Sequence, residues 1–292
     1  MKPEVQRVIE FAMGDEAKVT KSYAVGGGCI NQAWRVCLDD GREVFVKEPS
    51  RRMQSDYFRL EADGLEALRE PQCIGVPKVL AVKNTPSGTP LLILEFIVAG
   101  NQPADFQTKL GTGLARLHRN TTQYRFGWPE DNLLGSSVQP NGWFNDWVDF
   151  VRKRRLGYQF DLARRNGHGD SQFTQTAQKL LAHLDTILDS DEPACLLHGD
   201  LWGGNVMCDQ HGEPVLIDPA VYYGQREADL AMTHLFGGFT DDFYQAYEKV
   251  WPLPENSMRR QKVFMLYHLL NHLNLFGRSY YGQCVSLMQK LI

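Results

Sequence analysis

The sequence predicts an α+β chain in two lobes, a small β-rich lobe over residues 1–97 and a larger helical lobe over 98–292. Two observations predict it. Short apolar runs closed by turn residues dominate the first lobe, and apolar residues at helical spacing dominate the second. At 292 residues the chain is long enough to bury a large core, and no repeat or low-complexity stretch interrupts it.

The elements follow in order. Val5, Val8, Ile9 and Ala12 mark a leading amphipathic helix. Val19–Val25, Ala33–Leu38 and Glu43–Lys47 read as strands, with the glycine-rich turn Val25–Asn31 between the first two. Asp56–Arg69 reads as a helix with Phe58, Ala62, Leu65 and Leu68 on its apolar face. Val79–Val82 and Leu91–Phe96 are strands around the turn Pro86-Ser87-Gly88, and Val98–Pro103 reads as the linker to the second lobe. There, Phe106, Leu110, Leu114 and Leu117 give a buried helix ending at His118. Further helices are expected around Trp143–Ala163, Phe173–Leu188, Phe243–Tyr247 and Met258–Phe276. Trp143, Phe144, Trp147 and Phe150 read as core packing, and His118, His268 and His272 as core or surface histidines, since none stands at metal-ligand spacing.

Chemistry concentrates in His198-Gly199-Asp200-Leu201-Trp202-Gly203-Gly204-Asn205 and in Asp218, which ends the apolar run Val215-Leu216-Ile217. A carboxylate five positions before an amide, with a second carboxylate beyond, is the set a kinase needs. Asp200 would accept the proton of a substrate hydroxyl, and Asn205 and Asp218 would hold Mg²⁺ against the phosphates of ATP. Gly199 stands where protein kinases carry Arg, the residue that usually reads an activation-loop phosphate, so the loop suits a small-molecule acceptor. A polar turn between two strands would also use Gly and Asn, but seldom His, two Asp and Asn at these spacings.

The expected partners lie upstream in the right order. Gly26, Gly27 and Gly28 would let backbone N–H groups approach phosphate without Cβ interference. Three glycines in a hairpin turn are weak evidence alone, and a lone strand lysine is usually an edge charge. Lys47 gains weight because Glu61 follows close to the apolar face of the next helix, where it could pair the ammonium and aim it at the phosphates; Glu66 and Glu70 face elsewhere. Glu95 and Ile97 fall where a kinase hinge offers backbone groups to adenine. His198 is read as a loop brace, and Trp202 equally as a wall for the substrate or as packing. Asp229, after Arg226-Glu227-Ala228 at a helix start, is read by kinase analogy as a further brace of the loop.

Gly26-Gly27-Gly28-Cys29-Ile30-Asn31, the His198–Asn205 loop and Ile217-Asp218-Pro219-Ala220-Val221-Tyr222-Tyr223-Gly224-Gln225-Arg226-Glu227-Ala228-Asp229-Leu230-Ala231-Met232 together resemble the fructosamine (ketosamine) kinase family. The resemblance continues through Leu235–Phe239 and Tyr267–Asn271, nearly the whole chain. It implies a protein-kinase-like fold, similar to aminoglycoside and choline kinases, with residues 1–97 as the nucleotide-binding lobe and 98–292 as the catalytic and substrate-binding lobe. It also implies ATP-dependent phosphorylation of the 3-hydroxyl of a ketosamine, a sugar joined to an amine by glycation. The phosphorylated adduct then breaks down and frees the amine, which makes deglycation the expected outcome. Two alternatives stay open: an aminoglycoside- or choline-directed kinase, against which Leu201-Trp202 and the Asp218-Pro219-Ala220 run argue, and a non-catalytic kinase-like module, which should lack Lys47, Asp200 or Asn205.

Composition bounds the partners. A formal net charge of −4 argues against a general nucleic-acid binder, and the basic cluster Arg152–Arg155 reads as a solvated helix face. The N-terminal residues lack the apolar stretch of a signal peptide, and the longest apolar run, broken by Glu95, is too short to span a bilayer, so a cytoplasmic protein is expected. The six cysteines show no metal-ligand spacing and are expected to be free thiols. Five read as small core residues. Cys29, in an open glycine-rich turn, is the redox candidate and the position through which a homodimer disulfide could form. Mild oxidation is therefore expected to lower activity, reductant to restore it, and Cys29→Ser to remove the sensitivity without abolishing turnover. Equal oxidant inactivation of wild type and Cys29→Ser would point to Cys208 instead.

Overall fold

The computed structural model describes residues 1–14, 16–26, 31–50, 56–189 and 191–292. Gly27, Gly28 and Cys29 lie outside the described residues. The chain divides into two compact units. The first holds Met1–Phe106 and Met207–Asp218, the second Gln107–Val206 and Pro219–Ile292. The sequence expectation puts the boundary between residues 97 and 98. In the structure Val98–Phe106 stays with the first unit, and Met207–Asp218 rejoins it across a large sequence gap. Backbone pairing draws that segment in: Leu216 N–H donates to Gly75 C=O at 2.8 Å, and Gly100 N–H to Cys208 C=O at 2.9 Å.

The first unit opens with helix α1 (Pro3–Met13), followed by strands β1 (Val19–Val25), β2 (Asn31–Leu38) and β3 (Glu43–Pro49), helix α2 (Tyr57–Arg69), and strands β4 (Val79–Asn84) and β5 (Pro90–Glu95). The five strands form one antiparallel sheet in the order β1-β2-β3-β5-β4. Alternation sorts the faces of β3. Val44 and Val46 join Val5, Ile9, Val36, Leu91 and Ile93 in a core beneath α1, whereas Lys47, one residue out of phase, faces the other way. Phe58, Ala62, Leu65 and Leu68 of α2 are buried as the apolar spacing predicts, while Glu66 and Glu70 are exposed.

The second unit begins in helix α3 (Phe106–Asn120), a hairpin of β6 (Asn132–Leu134) and β7 (Ser137–Gln139), and α4 (Trp147–Phe150). Helices α5 (Gly157–Arg165) and α6 (Ser171–Ile187) follow, then β8 (Cys195–Leu197). A two-stranded pair, β9 (Val206–Cys208) with β10 (Pro214–Leu216), carries the chain into the first unit's returning segment. Strand β11 (Tyr222–Gly224), which pairs with β8, precedes α7 (Glu227–Phe236), α8 (Asp241–Val250), α9 (Ser257–Phe276) and α10 (Tyr281–Leu291). Helix α9 is the centre of the unit. Val263, Phe264 and the unbroken run Leu266–Asn271 are all buried, so the middle of the helix is enclosed on every side, while Met258, Arg259 and Phe276 near its ends are exposed. Its buried Leu and Phe side chains each contribute on the order of 1.5–3 kcal/mol. No helix among the described residues is long and apolar enough to cross a membrane.

Two expectations need correction. The basic cluster is not a uniform solvated face. Buried pairs recur at Phe150/Val151, Arg155/Leu156 and Gln159/Phe160. The first step is five residues where an α-helix gives four, because Val151–Leu156 is a π-helical turn. Gly157 closes it, donating its N–H to Arg152 C=O, and a Cβ there would stand 2.3 Å from that oxygen. The wide turn brings Arg155 inside, where it is fully buried. Nor are five cysteines core residues. Cys195, Cys208 and Cys284 are buried, but Cys37 and Cys73 are half-buried, and Cys37 Sγ donates to Glu43 at 3.3 Å.

Candidate active site

In the first unit, strand β3 presents Lys47 opposite its core face. The lysine is 6% exposed, and its Nζ donates to Glu61 of α2 and to Asp218 at 2.5 Å each. Burial alone would drive the ammonium toward neutrality, but attraction to Glu61 and then Asp218 outweighs it, and its pKa is raised above 10.5. Lys47 is therefore a fixed cation at neutral pH. Burial raises the Glu61 carboxyl above 4.5 against the pull of Lys47, and the charge of Asp218 adds to the rise. Asp218 adopts φ of +55°, a left-handed conformation that Asp tolerates better than most residues. Its side chain keeps 48% of its surface open, so the Asp218 carboxylate bonds the buried ammonium from a half-exposed position.

In the second unit, the chain turns sharply after β8. Gly199 takes φ of +80°, and a Cβ on it would lie 2.0 Å from the Ala220 carbonyl oxygen. The position that holds Arg in protein kinases admits only glycine here, for reasons of space as well as φ. Asn205, closing the loop in a 3₁₀ turn, donates its Nδ2 to the Asp200 carbonyl at 2.9 Å and to Asp200 Oδ2 at 3.2 Å. The amide thus orients the carboxylate, and the proposed proton acceptor and metal ligand act on each other directly. His198 is buried, and its Nδ1 accepts the Asp200 N–H at 3.2 Å. That is the bracing role read from the sequence.

The brace from α7 is stronger. Asp229, 1% exposed, accepts His198 N–H at 2.7 Å and Gly199 N–H at 2.8 Å, and its Oδ2 also lies 3.1 Å from His118 Nε2. Buried His118 in turn meets Tyr247 Oη through Nδ1 at 2.8 Å. Sequence reading treated His118 only as a core or surface histidine; the helix-terminal position gives no sign of a partner more than a hundred residues away.

The remaining candidates fare differently. Trp202 is 40% exposed. Its ring lies over Gly204, where a Cβ would stand 2.2 Å from the indole, and edge-on to Phe236 at 6.4 Å. The Glu95 carboxylate is engaged locally, accepting Lys78 N–H at 2.8 Å. Ile97 is half-buried after β5, and Gly26 is exposed with open space where its Cβ would be.

Burial by itself would push the Asp229 carboxyl up, but His118, His198 and the Gly199 N–H hold it below the ordinary 3.8. A depressed carboxyl contributes stability that is complete above 3.8 and lost as pH falls through the lower folded value. Asp229→Asn keeps the shape but turns a donor toward the loop, so it is expected to cost about 2–4 kcal/mol. Denaturant titrations should find that loss constant between about pH 5 and 8 and shrinking in the most acid samples, below the usual aspartate range.

The chain matches the model of the fructosamine kinase family over residues 1–292. It is 38% identical over 288 residues to a probable ketoamine kinase of Synechocystis sp., covering 99% of this chain and 96% of that one. It is 41% identical over 278 residues to a chloroplastic protein-ribulosamine 3-kinase of Arabidopsis thaliana, covering 94% of this chain and 83% of the other. Among solved structures, one from Thermobifida fusca assigned as a fructosamine-3-kinase aligns with a TM-score of 0.88 at 30% identity, covering 98% of each chain. An aminoglycoside phosphotransferase crystallised with AMP-PNP and hygromycin B aligns at 0.68 and 14% identity over 98% of each chain, a likeness of fold. On the whole-length match and these relatives, the chain belongs to the fructosamine kinase family.

Proposed function

We propose that this chain is an ATP-dependent ketosamine kinase, transferring the γ-phosphoryl group to the 3-hydroxyl of a fructosamine or ribulosamine adduct. The observation that carries the kinase reading is buried Lys47, bonded at once to Glu61 and Asp218 at 2.5 Å. The ammonium has three donors and the two carboxylates take two of them, which leaves one that a nucleotide phosphate oxygen could accept. The acceptor class rests on relatives named ketoamine kinase and protein-ribulosamine 3-kinase. Breakdown of the phosphorylated adduct would then release the amine, which makes the reaction one of deglycation. Cytoplasmic action belongs to the same reading, although one plant relative is named chloroplastic.

In the reaction, the sugar hydroxyl oxygen attacks the γ-phosphorus, the bond to the β–γ bridging oxygen breaks, and ADP leaves. Asp200 takes the hydroxyl proton while Asn205 and His198 hold its carboxylate and backbone in place. Lys47 neutralises charge on the phosphates, oriented by Glu61. By the sequence reading, Gly26, Gly27 and Gly28 would offer backbone N–H groups to them, and backbone groups at Glu95 and Ile97 would meet adenine. Trp202 packs its exposed indole against the sugar–amine.

The residues present fit Mg²⁺. Asn205 and Asp218 would hold it, one amide and one carboxylate oxygen donor. Mg²⁺ bound through phosphate usually keeps such a sparse protein set and several waters. The described residues contain no cluster of three or more His, Cys, Asp or Glu that would make a closed protein cage. Bound there, the ion neutralises and orients the phosphate oxygens.

Two variants test these roles. Asp200→Asn is expected to lower turnover on ketosamines by about 10²–10⁴-fold while MgATP binding survives; near-normal turnover of the pure variant would remove Asp200 from the chemistry. Asp218→Ala should weaken MgATP by at least about tenfold in calorimetry, about 1.4 kcal/mol, and unchanged affinity would show that another residue holds the metal. A turnover panel of fructosamines, ribulosamines, choline and kanamycin tests the acceptor. Phosphorylation of choline or kanamycin in preference to every ketosamine would overturn it.

A further inference from the structure

Five buried polar side chains of the second unit have no part in the reaction as written: Asn132, Gln139, Asn141, Arg155 and Tyr267, each at most 4% exposed. They form a chain with a direction. Arg155 has donors only, and the π-helical turn delivers its guanidinium among aromatic rings, 4.0 Å from the centre of Tyr222 and 4.4 Å from Phe150. It donates to the Pro140 carbonyl at 2.7 Å and to Asn141 Oδ1 at 2.8 Å. With its oxygen so engaged, Asn141 turns its Nδ2 to Asn132 Oδ1 at 3.0 Å, and Asn132 Nδ2 then donates to the Val221 carbonyl at 2.7 Å. From the other side, the Tyr267 hydroxyl donates to Gln139 Oε1 at 2.9 Å. Gln139 Nε2 accordingly donates to Asn132 Oδ1 at 2.8 Å and to the Ala220 carbonyl at 2.9 Å.

Both ends of the chain therefore converge as donors on two consecutive carbonyls. Ala220 is also tied to the loop, since its N–H donates to His198 C=O at 2.8 Å, and its carbonyl oxygen sits where a Gly199 Cβ would be. We propose that Arg155, Asn132 and Gln139 are positioning residues for phosphoryl transfer. They clamp Ala220–Val221 and, through Ala220, fix the loop that presents Asp200. The proposal rests on reading Asp200 as the proton acceptor. A misplacement near 1 Å in such a group costs roughly 10²-fold in rate, which is why a rigid amide chain is useful there.

The test compares Gln139→Met, which keeps length and loses every donor, with Tyr267→Phe, which removes only the hydroxyl that orients Gln139. Phe160→Leu, a core change outside the chain, is the control. Gln139→Met is expected to lower kcat by about 10–100-fold, with both KM values within about twofold. Tyr267→Phe should lower kcat severalfold, and Phe160→Leu should keep it even where its melting temperature falls as far. In hydrogen–deuterium exchange, peptides spanning residues 196–206 should exchange faster in the first two variants and not in the control. Unchanged kcat in folded Gln139→Met, or the same loss in Phe160→Leu, would overturn the clamp. Should Gln139→Met not fold, Tyr267→Phe decides by the same two readouts. A wild type that phosphorylates no ketosamine would remove the proposed function, and the exchange pattern would still decide the clamp.

Discussion

The loop from His198 to Asn205 owes its shape to a buried carboxylate. Asp229 accepts two successive backbone N–H groups of that loop and pairs with His118 in a setting with almost no solvent. Backbone donors left unmet in such a place would each cost about 1–3 kcal/mol, and an unpaired carboxylate more. The loop and the acid therefore satisfy each other, and neither is stable in that position alone. Because α7 is buried along most of its length, the acid cannot retreat to water. The conformation that brings Asp200 and Asn205 into contact is built on this pair of bonds.

The first unit solves a different electrostatic problem. One ammonium between two carboxylates leaves a local excess of negative charge, and the response is divided by exposure. Glu61, the more enclosed acid, has its pKa raised, whereas Asp218 keeps nearly half its surface open. On the proposed reading, an added cation would relieve that excess and an added phosphate would engage the ammonium. Coulomb attraction at such separations is worth several kcal/mol even at an effective dielectric near 20, enough to hold a buried lysine charged.

Glycine has a specific task at three positions. At Gly199 it permits a left-handed turn beneath the Ala220 carbonyl; at Gly204 it makes room for the Trp202 ring; at Gly157 it lets a wide helical turn close against Arg152. The first two shape the loop itself. The third brings a guanidinium inside, where it meets carbonyl and amide oxygens and aromatic faces. A buried charge of that kind is tolerable because each contact replaces part of the lost hydration.

How much was legible in the sequence follows from the range of each interaction. The strands of the small sheet, α2 and the order Lys47, Glu61, Asp200, Asn205, Asp218 could be read because each depends on residues within a few positions or on a contiguous polar motif whose chemistry demands that spacing. The glycine at position 199 was legible for the same reason, whereas the bracing role of Asp229, about thirty residues from the loop, came from kinase analogy. Tertiary structure alone decided the rest. Arg155 looks like one charge in a basic run until the π-helical turn places it on the buried side, and Asn132 and Gln139 look like polar hairpin residues until Ala220 and Val221 arrive from some eighty positions away. His118 is an ordinary histidine until Asp229 and Tyr247 close around it. Local pattern determines which elements form, because propensity and periodicity act over a few residues. Which polar groups lose water, and so must find each other, is settled only when distant segments pack.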